Sequence, residues 1–423
     1  MKLVLFAHTP PPQHGQSVMV QLMLEGLGGN HGRNATPPGI EAASPTPSAR
    51  AFGIECFHVN ARLSDDLEDV GQPRWGKIIL LLKYCIKAIA LRLRHGISTL
   101  YYVPSPPKRA SLYRDWVVML LCRPFFRRIV FHWHAVGLGE WLQRHARPWE
   151  RHLTHALLGR ANLAIVLSRF NESDSARLHP RHTRVVSNGI PDPCPDYGTR
   201  IAPLRAARAR ERLRHLDGKG HSQADQAMTS EPTPLVNVLY MAHCTRDKGL
   251  FDAVEGVRQA NQALASSGSL LRFQLTVAGS FLTAQERAEF RALTASSGMT
   301  GWVRHVGFIS GPQKEEALTA ADIFCFPTYF ANEGQPVNLI EAMAHGLPVV
   351  TTRWRAIPEF IPAGYPGLID PRRPDQVAKA LLALLPDDGQ AFRDVFLRTF
   401  TLEKHLSALA RALHSLEEEA SLP

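Results

Sequence analysis

The chain has 423 residues, 45% of them hydrophobic, which is enough for two substantial cores and more than one domain usually holds. Its 48 basic and 38 acidic side chains leave a formal charge of +10, which favours an anionic partner (a sugar nucleotide, an anionic lipid surface or nucleic acid) and says nothing about fold. The six cysteines, at 56, 85, 122, 194, 244 and 325, lack C-x-x-C spacing, which excludes a disulfide framework or a cysteine zinc site and reads as the reduced thiols of a cytoplasmic protein.

In chain order, MKLVLFAHTPPPQHG predicts a short apolar strand and a turn, without the apolar run and cleavage site of a secretory signal. Gly15 falls between this strand and the helix pattern VMVQLMLEGL, where the backbone can approach a phosphate. A low-complexity stretch, residues 28–51, interrupts this first unit, and GIECFHV then reads as a strand. The segment KIILLLKYCIKAIALRLR, residues 77–94, carries too many basic residues to span a membrane; it predicts an amphipathic helix that packs on a sheet or lies on an anionic membrane. The alternation continues with TLYYVP, a helix over 111–122, RIVFHWH and AIVLS. Residues 191–234, rich in Pro, then Arg, then Gly, Ser and Gln, predict a linker with one basic, solvated helix near 204–215. The rhythm restarts with VNVLYMAH, a helix from about 249, RFQLTVAGS, a helix over 284–296, VRHVGFI, a helix over 313–320, DIFCFP, a helix after Glu333, and LPVVTT. The segment 304–310 reads either as sheet core or as a platform for a base. The expected organisation is therefore a first doubly wound domain over 1–190, the linker over 191–234, a second such domain over 235–395, and C-terminal helices over 396–423 capped near 401–403.

EGQPVNLIEAMAHGLPVV, residues 333–350, is the most informative segment. Pro336 suits a helix start and Gly346 its end, so Glu341 lies about one and a half turns into a helix while Glu333 sits on the loop that feeds it. Both carboxylates then border a ligand with hydroxyls and a phosphate, although the spacing also permits acid–base chemistry of the glycosidase kind. In YMAHCTRDKGLFDAV, Lys248 follows a strand and precedes Gly249 and a helix, where it can meet a phosphate. The absence of G-x-G-x-x-G and of a Walker A lysine argues against nicotinamide cofactors and P-loop chemistry. His132 and His134 alternate on one strand, a metal-competent pair with no nearby acidic or cysteine ligand to complete it.

Together these features resemble glycosyltransferase family 4: the spaced glutamates, the P-P-P-x-H-G turn at 10–15, the L-S tract at 167–169 and the N-G-I tract at 188–190. The resemblance implies an α/β chain of GT-B fold, two doubly wound Rossmann-like domains facing each other across a cleft, and retaining transfer from a UDP-, GDP- or ADP-sugar. It implies that Glu341 holds the ribose, that Glu333, Gly334, Gln335 and Pro336 hold the donor sugar, and that Val337 and Asn338 offer amides to the diphosphate. Lys248 neutralises the leaving diphosphate, Gly15 assists from the other domain on closure, and His134 faces the sugar. Two positions depart from the family: His243 stands where an arginine is common, so that Arg246 or His243 must supply the second partner, and Gln335 replaces a frequent phenylalanine. No cofactor or metal is expected, only the donor as substrate. A glycan or lipid-linked acceptor, surface polysaccharide synthesis, and a place in the cytoplasm or on the inner membrane face complete the expectation. The alternatives are a phosphorylase of the same fold, a non-catalytic sugar-nucleotide sensor, and a nucleic-acid-binding module, the last disfavoured because basic residues are dispersed without interleaved aromatics.

Overall fold

The computed structural model describes residues 1–11, 15–31, 52–63, 75–216, 234–295, 299 and 301–418. Most of the low-complexity stretch, residues 32–51, the C-terminal half of the expected linker, residues 217–233, and turn residues 12–14 lie outside these. The chain divides into two compact units, one of Met1–Pro191, Asn332–Gln335 and Thr399–Pro423, the other of Asp192–Ala331 and Pro336–Arg398.

The first unit holds a six-stranded parallel sheet in the order β2-β1-β3-β4-β5-β6, built from β1 (Lys2–Ala7), β2 (Glu55–Asn60), β3 (Thr99–Tyr102), β4 (Arg128–Trp133), β5 (Leu163–Val166) and β6 (His182–Val185). Its helices are α1 (Gly15–Leu27), α2 (Trp75–His95), α3 (Arg109–Cys122), α4 (Leu138–Arg144), α5 (Pro148–Leu158), α6 (Glu172–Ala176) and, from the chain's end, α14 (Leu402–Glu418). The two-residue period of β1 shows why both faces must be covered. Val4 and Phe6 join a core with Leu81 and Cys85 of α2 and Leu112, Trp116 and Met119 of α3. Leu3 and Leu5 join the opposite core with Met23 of α1 and Leu406, Leu409 and Leu413 of α14.

The second unit repeats the plan with a six-stranded parallel sheet ordered β12-β11-β10-β7-β8-β9. Its strands are β7 (Leu235–Met241), β8 (Arg272–Ala278), β9 (Val303–Gly307), β10 (Ile323–Phe326), β11 (Val349–Thr352) and β12 (Leu368–Ile369). Its helices are α7 (Ala202–Leu216), α8 (Leu250–Ser266), α9 (Ala284–Ala295), α10 (Gly311–Ala320), α11 (Val337–Ala344), α12 (Pro374–Ala383) and α13 (Gln390–Thr399). β9 is an edge strand whose central residues are exposed and which leads to the exposed Phe308, so segment 304–310 is not sheet core.

The basic helix expected to be solvated is α7, and two of its arginines are buried. Arg205 donates to the carbonyls of His345, Ala321 and Leu318 at 2.8, 2.7 and 3.0 Å. Arg212 donates to Leu385 O at 2.7 Å and Asp387 O at 2.9 Å and pairs with Asp322 at 3.1 Å. From α13, Arg393 grips the Asp192 carboxylate with both terminal nitrogens, at 2.7 and 2.6 Å, and donates to Ala344 O at 2.7 Å. Its guanidinium lies 4.8 Å from the centre of the Tyr197 ring. Arg205 and Arg393 satisfy carbonyls left over at the C-terminal ends of α10 and α11, and Arg212 those just beyond α12, where the helix dipole also favours positive charge. Burial lowers Arg205 to about 10, which leaves it charged at neutral pH.

Arg205→Ala removes three charged hydrogen bonds from a dry site and is expected to destabilise the protein by about 3 kcal/mol or more. Arg210→Ala, on the exposed face of the same helix, is expected to change stability by less than about 0.5 kcal/mol; paired urea titrations compare the two. His345, at the C-terminus of α11, is only 2% exposed, and burial holds its pKa down to about 4. Unfolded, it titrates near about 6.5, so the unfolded chain binds more protons between these values and stability falls as pH drops through that window, by on the order of 3 kcal/mol. His345→Gln is expected to flatten the dependence of Tm on pH between about 6.5 and about 4, the remaining slope coming from groups such as His132 and His405, which burial also depresses.

Candidate functional site

In the second unit the strand order reverses between β10 and β7; Lys248 follows the carboxyl end of β7, and α11 follows that of β10. The turn after β7 is pinned on both sides. Cys244 N–H donates to Ser280 O at 2.9 Å beyond β8, and Asp247 O accepts from Tyr329 N–H at 2.8 Å beyond β10. The Tyr240 hydroxyl closes the turn from within, donating to His243 O at 2.8 Å and approaching Lys248 O at 3.3 Å. Gly249 has φ +81°, and a Cβ there would stand 2.2 Å from Pro327 O, so both conformation and space require glycine.

This turn delivers Lys248 to an aromatic floor. Its ammonium lies 4.3 Å from the ring centre of Phe330 and 5.7 Å from that of Phe326, a distance range in which ring quadrupoles attract a cation. His243 is largely buried, and burial, reinforced by the nearby Lys248 charge, holds its imidazole below the usual pKa. It is therefore mainly neutral at neutral pH and does not supply a second cation. Arg246 points its guanidinium at Glu289 of α9, at 2.5 Å, and stacks 4.4 Å over Phe251. Neither candidate for the missing arginine forms a two-cation clamp with Lys248 in this state.

Helix α11 begins immediately after Pro336, its N-cap, which has no side-chain acceptor, so the amides of Val337 and Asn338 in the first turn have no side-chain cap. Asn338 Nδ2 donates to Met241 O at 2.7 Å, which ties this helix start to the end of β7. One turn further, Glu341 Oε1 pairs with Lys314 of α10 at 2.6 Å; the two side chains are 18% and 32% exposed. Gly346, at φ +60°, ends the helix.

The loop that feeds α11 belongs to the first unit. Asn332 Nδ2 donates to Val136 O at 2.9 Å, and Gly334 packs so closely that a Cβ would lie 2.4 Å from His134 O. Gln335 accepts the backbone N–H of Asn188 at 2.6 Å through its side-chain oxygen, while Asn188 Nδ2 donates to Gln335 O at 3.1 Å. The N-G-I tract and the loop of the first glutamate are thus one hydrogen-bonded structure, with Glu333 buried beside it. His134 follows the end of β4. Its ring centre lies 4.1 Å from that of His132, which is itself fully buried and joined through Nδ1 to the Tyr101 hydroxyl at 2.5 Å. Among the described residues no three His, Cys, Asp or Glu side chains are gathered closely enough to hold a metal ion. Gly15 is the first residue of α1, at the carboxyl end of β1.

In the second unit, Lys314 and Phe330 escaped the sequence reading; in the first, Asn188 entered it only through the N-G-I tract and not as the partner of Gln335. Lys314 sits in GPQKEEALTA, where adjacent glutamates make it look like an ordinary surface charge. Only the tertiary pairing with Glu341 distinguishes it.

Residues 236–387 match the family described as glycosyl transferases group 1. The amylovoran biosynthesis glycosyltransferase AmsK of Erwinia amylovora is 31% identical over 160 residues, which is 37% of this chain and 37% of that protein. The match therefore spans little more than a third of the relative's length. Sucrose-phosphate synthase from Thermosynechococcus elongatus has the same fold at a TM-score of 0.65 and 18% identity, covering 99% of this chain and 100% of that one. HepE of Anabaena, solved in complex with UDP-glucose, aligns at a TM-score of 0.61 and 15% identity over 98% and 99% of the two chains. The chain therefore has the two-domain α/β fold of GT-B glycosyltransferases and carries, over residues 236–387, a glycosyl transferases group 1 domain.

Proposed function

We propose that the protein is a retaining glycosyltransferase of family 4. It moves a sugar from a UDP-, GDP- or ADP-linked donor to a glycan or lipid-linked glycan, in surface polysaccharide synthesis, in the cytoplasm or at its membrane face and without a metal ion. One juxtaposition carries the reading: the Lys248 ammonium and the start of α11, which lacks a side-chain cap, lie at the carboxyl ends of neighbouring strands. Such a pair suits a diphosphate. The names of AmsK and of the UDP-glucose complex of HepE support the transfer chemistry and a nucleotide-sugar donor.

In this reading the bond between the anomeric carbon and the phosphate oxygen breaks with positive charge building on the sugar and negative charge on the diphosphate. Lys248 and the amides of Val337 and Asn338 are already aimed where that negative charge grows, so little reorganisation is needed when it appears. Glu341 takes the ribose hydroxyls, steadied by Lys314. Glu333 and the loop of Gly334, Gln335 and Pro336 hold the sugar, with His134, whose carbonyl lies against Gly334, on the same side. Gly15 adds backbone amides toward the diphosphate. Glu333 is not a nucleophile: the departing phosphate oxygen takes the acceptor's proton as the new glycosidic bond forms on the same face.

The neutral His243 and the committed Arg246 favour one second reading, a sugar-nucleotide-binding protein without turnover. Release of nucleotide from a donor by the purified protein, followed by product analysis, rules that reading out. A donor screen by thermal shift with UDP-, GDP- and ADP-sugars identifies the nucleotide. With the best donor, Lys248→Ala is expected to lower kcat by about 10² to 10³. Glu341→Ala is expected to weaken donor binding roughly 10- to 100-fold, the effect of losing hydrogen bonds to a charged group. If both variants bind and turn over the donor like the parent, the site assignment is wrong.

A further inference from the structure

Helix α2 is apolar on two faces, and among the described residues only one of them is buried in a core. Leu81, Cys85 and Ala88 are buried in the first unit's core. On the far side, Ile79, Leu82, Ile86 and Leu93 are 57%, 39%, 66% and 65% exposed, and Ile78 beside them is 48% exposed. With Ala90, also exposed, the positions 79, 82, 86, 90 and 93 follow the three-and-four spacing of a single stripe about 20 Å long. Lys83, Lys87 and Arg94 are likewise exposed and fall on the adjacent stripe, less than about a quarter-turn away.

Charge identifies what covers this ridge. From Trp75 to Arg128 the chain carries eleven Lys and Arg and a single carboxylate, Asp115, an excess as large as the formal +10 of the whole chain. Arg114 pairs with Asp115 at 3.3 Å and Arg109 with Glu150 at 2.8 Å, so the uncompensated rim is that of α2 itself, where Lys83, Lys87 and Arg94 are exposed and no carboxylate occurs. A protein partner for an apolar ridge needs no such one-sided rim, and a nucleic acid has little use for a stripe of isoleucines. An anionic bilayer uses both: the apolar side chains enter the acyl boundary while the lysine stems reach up to lipid phosphates. Among the described residues no helix is long and apolar enough to cross a membrane, so the helix lies in the interface rather than spanning it.

We infer that the outer face of α2 is a docking surface for anionic phospholipid bilayers. This surface is independent of the transferase reading, and its test uses no donor. The full-length protein is mixed with phosphatidylcholine vesicles, with and without phosphatidylglycerol, and floated on a density gradient at low and high salt. The expected result is flotation with the anionic vesicles, reduced by salt, and little with the neutral ones. Lys83→Ala combined with Lys87→Ala is expected to lower the partition coefficient roughly 30-fold, about fivefold for each charge near the surface. Ile79→Ser combined with Ile86→Ser is expected to abolish flotation at low salt as well. All four positions are exposed, so Tm should stay at the parent value. The inference is overturned if the parent protein stays in the aqueous fraction with anionic vesicles, or if both double variants float like it. It is equally overturned if the parent is a dimer that the isoleucine substitutions split and that does not bind vesicles, which would assign the ridge to a second copy.

Discussion

The second unit depends on buried guanidinium groups that take up the loose carbonyls of helix ends. Arg205 and Arg393 reach the C-terminus of α11 from two different helices, donating to His345 O and Ala344 O, and Arg205 also binds Leu318 O and Ala321 O where α10 ends. A helix terminus buried without such donors would leave several polar groups unpaired in a dry environment, each costing roughly 1 to 3 kcal/mol. By fixing the back of α11, these arginines fix its front, because an eight-residue helix is a rigid rod only about 12 Å long. The position of the first-turn amides, of Asn338 against Met241 and of Glu341 against Lys314 therefore follows from contacts made on the opposite side of the unit.

Lys248 is held by a different device, a turn whose backbone is bonded to the ends of β8 and β10 and whose glycine admits Pro327. Its immediate setting is aromatic, with the Phe330 and Phe326 rings turned toward the ammonium, which attracts a cation beside low-dielectric surface. The neutrality of His243 is part of the same balance, since a second positive charge beside the lysine in a largely buried position would be costly. The overall positive charge of the chain is concentrated elsewhere, along α2 and α3. The Lys248 turn and the basic surface are thus built by separate parts of the chain.

Much of the fold was legible in the sequence because parallel strands buried on both faces are short, mostly apolar runs, as in β1, β7, β10 and β11, while β8 shows the alternation of a half-buried strand. The strands that left no trace are β6, whose sequence is HTRV, and β12, only two residues long. Both lie at sheet edges, where half the covering is missing and the apolar signal with it. The sequence misread α7 for the opposite reason. Its arginines at 205 and 212 look solvated by composition, yet their acceptors are carbonyls more than 100 residues away.

The sequence by itself determined the two βαβ sheets, the start of α11 after Pro336, and the position of Lys248 at a strand end, because these follow from periodicity, proline and glycine conformation, and local order along the chain. Tertiary structure alone decided that Gln335 is bonded to Asn188, that Arg246 pairs with Glu289, that Lys314 pairs with Glu341, and that Ile79, Ile86 and Leu93 of α2 stand exposed. The reason is physical. A side chain's hydrogen-bond and ion-pair partners are set by which distant segments the sheet order brings alongside it, and neither residue type nor spacing carries that information.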